Sequence, residues 1–293
     1  MTFSNAADNW ISGFLNLQKP STRASWMSGL NLHIRPAFQT LELEQVTAGA
    51  VNQAVFSWHE AGLAPKTIQN LIGILGRLRA FYSLAPFGKA VTAPKAVQAV
   101  QERPYFTATQ LAAIVGRAAP KYRALFATAA GTGMRAGELL GLRVQDVDLK
   151  RGLIHVRQSV WNGEAQSPKT ANAYRWMPID AELVQILRTH FTGRIKEGYV
   201  FQARNGAPLL QTNVLRRGLW PVLHALGIPK AGMHAFRHGR VSYLIEQGVA
   251  LECIKQWIGH GSEEMIRRYT HHRPEFHKAQ LPPSVLAVIT REA

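Results

Sequence analysis

The stretch 152–179 constrains the fold of this 293-residue chain most, because only there does the apolar pattern change to a strand period. Ile154, Val156 and Ser159–Trp161 predict a strand, Asn162-Gly163 a tight hairpin turn, and Tyr174–Ile179 a further strand. Lys169 falls at the tip of a β-hairpin, followed by the turn formers Thr170, Ala171 and Asn172. One short antiparallel sheet within a chain otherwise patterned for helices limits the architecture to a mainly α protein carrying a small sheet.

The helical patterns divide the chain in two. Trp10, Ile11, Phe14 and Leu15 form one apolar face, and Trp26, Leu30 and Ile34 another that ends before Pro36. Thr47 caps a third run (Val51, Val55, Trp58) that stops at Gly62. After Pro65, Ile68, Leu71, Ile72, Leu75, Leu78 and Phe81 recur at a period of 3.6. Four helices with short loops predict a small bundle, on which Lys66, Arg77 and Arg79 are candidate DNA-facing charges. Pro86, Gly88, Pro94 and Pro104 then interrupt the pattern, with room for a helical turn over 94–101. The domain boundary is placed near Glu102–Arg103, giving units 1–102 and 103–293.

The second unit begins at Thr107-x-x-Gln110, a capping box ahead of Leu111, Ile114 and Val115. The next helix starts at Tyr122, Leu125 and Phe126 and ends at Gly131. The segment G-T-G-M-R-A satisfies a dinucleotide-binding pattern only formally, since the preceding ALFATAA is a helix former and not a strand. Arg135 instead begins a short helix anchored by Leu139 and Leu140, with Glu138 on its face three residues on. Asp180 caps a helix with Leu183, Ile186 and Leu187, and Val214, Leu215, Leu219 and Leu223 mark another with Arg216 and Arg217 exposed. From His234 two helices follow, carrying Val241, Leu244 and Ile245, then Ile254, Trp257 and Ile258. Gly248 and Gly259 stand where left-handed caps are expected, and Ser262 would open a third short helix that ends near Tyr269.

Charge narrows the partner. The chain holds 34 Lys and Arg against 18 Asp and Glu, a net charge of +16. Residues 1–103 contribute 9 basic and 5 acidic side chains and the remainder 25 and 13, so most of the positive field belongs to the second unit. Such an excess points to a polyanion, most often nucleic acid. A single cysteine, Cys253, excludes a disulfide within the chain and fits a reducing compartment. There is no basic-then-apolar leader and no apolar run of membrane-spanning length, so a cytoplasmic location is expected.

Arg135, Lys169, His234-x-x-Arg237, His260 and Tyr269 follow one another in this order. Their contexts are T-G-M-R-A-G-E-L-L-G-L, S-P-K-T-A-N-A-Y-R-W-M-P-I, H-A-F-R-H and I-G-H-G-S-E-E-M-I-R-R-Y-T-H. In this combination residues 105–272 resemble the tyrosine recombinase (phage integrase) family. Residues 20–85 more loosely resemble that family's N-terminal core-binding helices. The implied fold is a helical core-binding bundle followed by a mixed α/β catalytic domain of the DNA breaking-rejoining type.

Independent chemistry agrees with the motif. A phenol attacking a phosphodiester passes through a five-coordinate state with charge on the non-bridging oxygens, so the protein's task is positioning and neutralisation. Arginine's planar fork suits those oxygens, which makes Arg135 and Arg237 the expected phosphate clamps. Tyr269 would attack, leaving, as the resemblance implies, a 3′-phosphotyrosine and a free 5′-hydroxyl. Lys169 would be the general acid for the departing oxygen, His234 the acid/base near the tyrosine, and His260 a hydrogen-bond donor to the phosphate. Glu138 would orient neighbouring catalytic side chains, with His238 in support.

No metal or cofactor is expected. His234 and His238 lie four apart, but no H-E-x-x-H frame accompanies them. The energy of the broken linkage is stored in the phosphotyrosine, which removes the need for ATP. The resemblance implies a homo-tetramer on two double-stranded DNA sites with inverted-repeat cores, a Holliday junction intermediate, and an accessory directionality factor. The rival readings are a type IB topoisomerase-like nicking-closing enzyme and a non-catalytic DNA-binding protein. Phe236 stands where the family usually has Leu, and Gly239 where a small hydroxyl residue is common, which slightly weakens the helix. A separate arm-type DNA-binding domain is expected to be absent or minimal. The apolar tail Val285, Leu286, Val288 and Ile289 is the expected contact with a neighbouring protomer.

Overall fold

The computed structural model describes residues 1–95, 104–166, 174–192 and 197–259. The chain divides into two compact units, Met1–Gln101 and Glu102–Ala293. Among the described residues no helix is long and apolar enough to cross a membrane.

The first unit is built from helices α1 (Phe3–Gly13), α2 (Pro20–Gly29), α3 (Arg35–Phe38), α4 (Ala48–Glu60) and α5 (Pro65–Phe81). Its core gathers Phe3, Trp10, Leu30, Ile34, Phe38, Val51, Trp58, Ile68, Leu71 and Leu78. Apart from Phe3 and Phe38 these belong to the apolar faces read from the sequence, while Phe81 at the end of the fourth face is exposed. Each fully buried Leu or Ile contributes about 1.5–3 kcal/mol. The second helical run does not stop before Pro36. A π-helical turn at Leu30–Ile34 joins α2 to α3, and Pro36 occupies the first turn of α3. A wide turn shifts the hydrogen-bond register and lets the chain pass the proline while Leu30 and Ile34 stay buried.

Two of the candidate DNA-facing cations on α5 are tied to the fold. Arg79 donates from Nε to the Ala85 carbonyl and from Nη1 to that of Val46, with its guanidinium over Phe87. Arg77 donates to the Gly73 carbonyl and lies 4.8 Å from the Trp26 ring centroid. The helical turn considered for 94–101 lies mostly outside the described residues.

The second unit opens with α6 (Ala108–Arg117), whose capping box forms as expected, with Gln110 N–H donating to Thr107 Oγ1 and Thr107 N–H to Gln110 Oε1. Helix α7 (Pro120–Thr132) runs one residue past Gly131, because the left-handed residue is Gly133 at φ +64°. Helix α8 (Ala136–Leu140) follows. Strands β1 (Val147–Asp148), β2 (Leu153–Val156), β3 (Ser159–Trp161), β4 (Glu164–Gln166) and β5 (Arg175–Pro178) form two antiparallel sheets, ordered β1-β2-β5 and β3-β4.

The single strand expected over 154–161 is therefore broken. Gln158 turns aside to donate from Nε2 to the Gly141 carbonyl, and β3 joins the β4 hairpin instead. Asn162 (φ +48°) and Gly163 (φ +86°) make that hairpin's turn with both central residues left-handed, as the Asn-Gly pair predicts. Pro178 is tolerated because β5 is an edge strand in its sheet.

Asp180 caps α9 (Ala181–Phe191) by accepting from the Leu183 N–H. Helices α10 (Gln211–Val214) and α11 (Trp220–Ala225) are joined by a π-helical turn at Leu215–Leu219, and then come α12 (His234–Glu246) and α13 (Leu251–Ile258). One core holds Leu111, Leu125, Phe126, Leu139, Ile154, Met177, Leu187 and Phe236. A smaller cluster of Val241, Leu244, Ile245, Ile254 and Ile258 fastens α13 to α12.

Two departures from the family pattern have physical reasons here. Phe236 is fully buried, edge-on to Phe106 and stacked on Phe126, so an aromatic fills that slot. Gly239 is more than a mild helix weakener. A Cβ there would stand 2.1 Å from the Phe106 carbonyl oxygen, so its absence lets that backbone lie against α12. Gly239→Ala is thus expected to destabilise by about 1–3 kcal/mol through overpacking, despite the gain of about 1 kcal/mol in helix propensity. A thermal melt of the variant checks it, and an unchanged or raised Tm would refute the close-approach argument.

Candidate active site

The site forms where α7, α8, β5, α12 and the end of α13 meet, and it is organised by arginines. Gly133, left-handed at the end of α7, places Met134 in the core and lets Arg135 begin the turn into α8. Glu138 closes that turn by accepting from the Arg135 backbone N–H at 3.0 Å and from Arg135 Nη1 at 2.8 Å. The second guanidinium nitrogen of Arg135 reaches across the fold to the Gly259 carbonyl at 2.9 Å. Arg237, 2% exposed on α12, donates to the Gly133 carbonyl at 2.9 Å and to the Ile258 carbonyl at 2.7 Å.

A third arginine completes the group. Arg175 on β5 is buried and holds Glu138 with both terminal nitrogens, Nη2 to Oε2 at 2.8 Å and Nη1 to Oε1 at 3.3 Å. Its Nε donates to the Trp257 carbonyl at 2.6 Å. Three guanidiniums thus meet the last two carbonyls of α13 and that of its cap residue: Arg175 at Trp257, Arg237 at Ile258 and Arg135 at Gly259. A helix C-terminus carries partial negative charge and orphan carbonyls, so cations are favoured there. Gly259 makes the close approach feasible. Its φ is +67°, and a Cβ on it would lie 3.0 Å from the central carbon of the Arg175 guanidinium.

Among the described residues the electrostatics follow from one carboxylate, Glu138, beside Arg135 and Arg175, with Arg237 close by. Burial pushes the Glu138 carboxyl up, but the hydrogen bonds and charge of Arg175, with the charge of Arg135, outweigh it. The group is held below the usual carboxylate range. Glu138 is therefore ionised and offsets one of the three positive charges. The remaining excess belongs to Arg135 and Arg237, and Arg135 keeps 39% of its side chain open to solvent. Such a cluster is suited to receive an anion at the exposed side of Arg135.

The adjacent pair Arg135 and Glu138 and the distant Arg237 are thus brought together near the end of α13. His234 and His238 stand one turn apart on α12, ring centroids 6.4 Å from each other, with His234 exposed and His238 buried. Lys169, His260 and Tyr269 lie outside the described residues, as do the third helix opened by Ser262 and the apolar tail. Arg175 is the residue that sequence reasoning passed over. The strand alternation held the signal: Arg175 shares an inward face with Met177, in register with Val156 and Ile154, and an arginine at such a position must have a buried acceptor.

Comparison with known proteins gives this geometry a context. The model of the phage integrase family matches residues 104–275. The XerC-like tyrosine recombinase of Caldanaerobacter subterraneus subsp. tengcongensis is 29% identical over 183 residues, covering 53% of this chain and 46% of that protein. The integrase of Staphylococcus phage L54a is 31% identical over 159 residues, covering 48% of this chain and 45% of that protein. The chain thus spans about half the length of these curated relatives. Tyrosine recombinase XerC of Xanthomonas campestris pv. campestris is 26% identical over 251 residues, 78% of this chain and 71% of that one. Among solved structures, the Tn1549 transposon integrase in complex with transposon right end DNA shares the fold, with a TM-score of 0.74 at 19% identity. That match covers 95% of this chain and 98% of the other. A lambda integrase tetramer bound to a Holliday junction matches with a TM-score of 0.67 at 18% identity, over 92% of this chain and 77% of that one.

Proposed function

Because this chain belongs to the phage integrase family, we propose that it is a tyrosine-type site-specific recombinase that cuts and rejoins double-stranded DNA. The observation that carries this reading is the convergence of Arg135 and Arg237 on the end of α13, immediately before the segment bearing His260 and Tyr269. In the proposed reaction the Tyr269 oxygen bonds to the phosphorus and the bond to the 5′-oxygen breaks. His234 takes the phenolic proton and Lys169 supplies one to the departing oxygen. Arg135 and Arg237 neutralise the charge on the non-bridging oxygens, and His260 donates to one of them. Glu138 and His238 hold the donors in place. A second 5′-hydroxyl then attacks the 3′-phosphotyrosine and reverses the step on a new strand, so the linkage energy is conserved without ATP or a metal.

In this reading residues 1–102 form the core-binding domain and residues 103–293 the catalytic one. Four protomers act on two DNA sites with inverted-repeat cores through a Holliday junction; the similarity to the lambda integrase tetramer bound to a Holliday junction supports the four-protomer part of this reading. An accessory directionality factor would choose the sense of exchange, and the reaction would run in the cytoplasm. The apolar tail at 284–289 packs on a neighbouring protomer, so deletion of 280–293 should abolish cooperative synapsis while sparing single-site binding.

The test is a nicked suicide duplex bearing a site that the protein enriches from a random duplex library. Under denaturing electrophoresis a covalent protein–DNA adduct is expected, and two such sites should exchange strands. DNA relaxation without exchange would favour a nicking-closing enzyme, and binding without an adduct would refute strand transfer. Affinity for the site should fall steeply with salt, with log K declining against log salt by about 0.9 per phosphate neutralised. A flat salt response in a filter-binding titration would contradict phosphate-led binding.

A further inference from the structure

We infer that Arg175 is a positioning residue for strand transfer, setting both the carboxylate that aims Arg135 and the helix end from which the tyrosine-bearing segment departs. The inference rests on the recombinase reading above and adds to it a residue outside the expected catalytic set. Three observations carry it. Arg175 engages Glu138 in a two-pronged ion pair, and the Glu138 oxygen Oε1 that receives its Nη1 also receives Arg135 Nη1. The orientation of the Arg135 guanidinium is therefore coupled to Arg175 through a single shared oxygen. Second, Arg175 Nε holds the Trp257 carbonyl at 2.6 Å, beside the Ile258 carbonyl held by Arg237 and the Gly259 carbonyl held by Arg135. Third, a Cβ on Gly259 would lie 3.0 Å from the Arg175 guanidinium, so the backbone of Gly259, the residue before His260 in the chain, lies close against it.

Arg175 also sits at the start of β5, two residues beyond the undescribed segment that contains Lys169. One buried guanidinium thus joins three pieces of chain that carry proposed catalytic groups: α8 with Arg135, the strand that follows Lys169, and the end of α13 before His260 and Tyr269. A planar fork with three differently directed N–H groups is what this junction needs. Lysine, a single charged point on a flexible stem, supplies the charge but cannot serve the carboxylate and the carbonyl together.

This separates a positioning role from simple structural support. Arg175→Lys should fold and bind the enriched site with an affinity within about twofold of wild type, because neither phosphate clamp is removed. Its single-turnover rate of covalent adduct formation on the nicked suicide duplex should fall about 10²-fold, the scale of a misplacement of about 1 Å at a reacting centre. The double variant Glu138→Gln/Arg175→Met removes both buried charges together, so it guards against a single variant that fails to fold. It too should bind the duplex yet form adduct slowly. Wild-type adduct rates in a folded, DNA-binding Arg175→Lys or double variant would overturn the inference while leaving the recombinase reading intact. If wild type itself forms no adduct on the duplex it enriches, the recombinase reading falls and this inference falls with it.

Discussion

Tyr269→Phe is expected to abolish the covalent protein–DNA adduct, lowering its formation by about 10⁴-fold or more, while duplex affinity stays within about twofold. Removing one oxygen deletes the proposed nucleophile and keeps the aromatic ring. The rate loss is expected to be of the size seen when other enzymes lose the attacking group, on the order of 10⁴–10⁶. Affinity is expected to persist because phosphate contacts by Lys and Arg dominate DNA binding, and the chain keeps its net charge of +16. The measurement is paired: adduct yield on the nicked suicide duplex and a mobility-shift titration of the same duplex. Adduct of wild-type yield from the phenylalanine variant would mean that another side chain attacks.

Glu138→Ala is expected to cost about 3–5 kcal/mol of stability in the second unit, the cost of leaving a buried charge without its partner. Arg175, with 4% of its side chain exposed, would keep its positive charge while losing the carboxylate that accepts from both its terminal nitrogens. Chemical denaturation of wild type and variant measures the loss, and a difference below about 1 kcal/mol would show that the pair contributes little. The pH dependence has a definite sign. The Glu138 pKa is lowered in the folded protein, so its contribution is fully present above the unfolded carboxylate value of about 4.3. It is lost as pH falls from there through the depressed folded value. Glu138→Gln should therefore flatten the acid limb of the stability profile below about pH 4.3 and leave the neutral region's slope unchanged.

Much of this protein could be read before any coordinates, for reasons that differ from element to element. The capping box at Thr107, the Asp180 cap and the Asn162-Gly163 turn are local: each is satisfied by atoms within three residues, so the chain states them outright. The apolar faces of α4 and α5 are also plain, since periodic burial against any partner leaves the same pattern. The break between β2 and β3 was not legible. It depends on Gln158 finding the Gly141 carbonyl, an acceptor 17 residues away. The continuation of the second helix past Pro36 was missed because proline forbids a regular α-turn but not the wide one that forms.

The candidate site divides the same way. Arg135, Glu138 and Arg237 announce themselves by local context, and the fold gathers them. Arg175 reads as an ordinary strand residue until its buried carboxylate is known. Gly239 likewise reads as a mild defect in a helix until Phe106 is found lying against it.

From the sequence alone came the family, the mainly helical class with its small antiparallel sheet, and the candidate side chains proposed for phosphate chemistry. Those follow from residue type and short-range spacing, which the chain carries whatever its fold. Only the tertiary structure decided that three arginines from α8, β5 and α12 share the carbonyls at the end of α13, and that Glu138 is held ionised between two of them. Hydrogen-bond partners and desolvation are set by which distant segments exclude water together, and no local pattern encodes that.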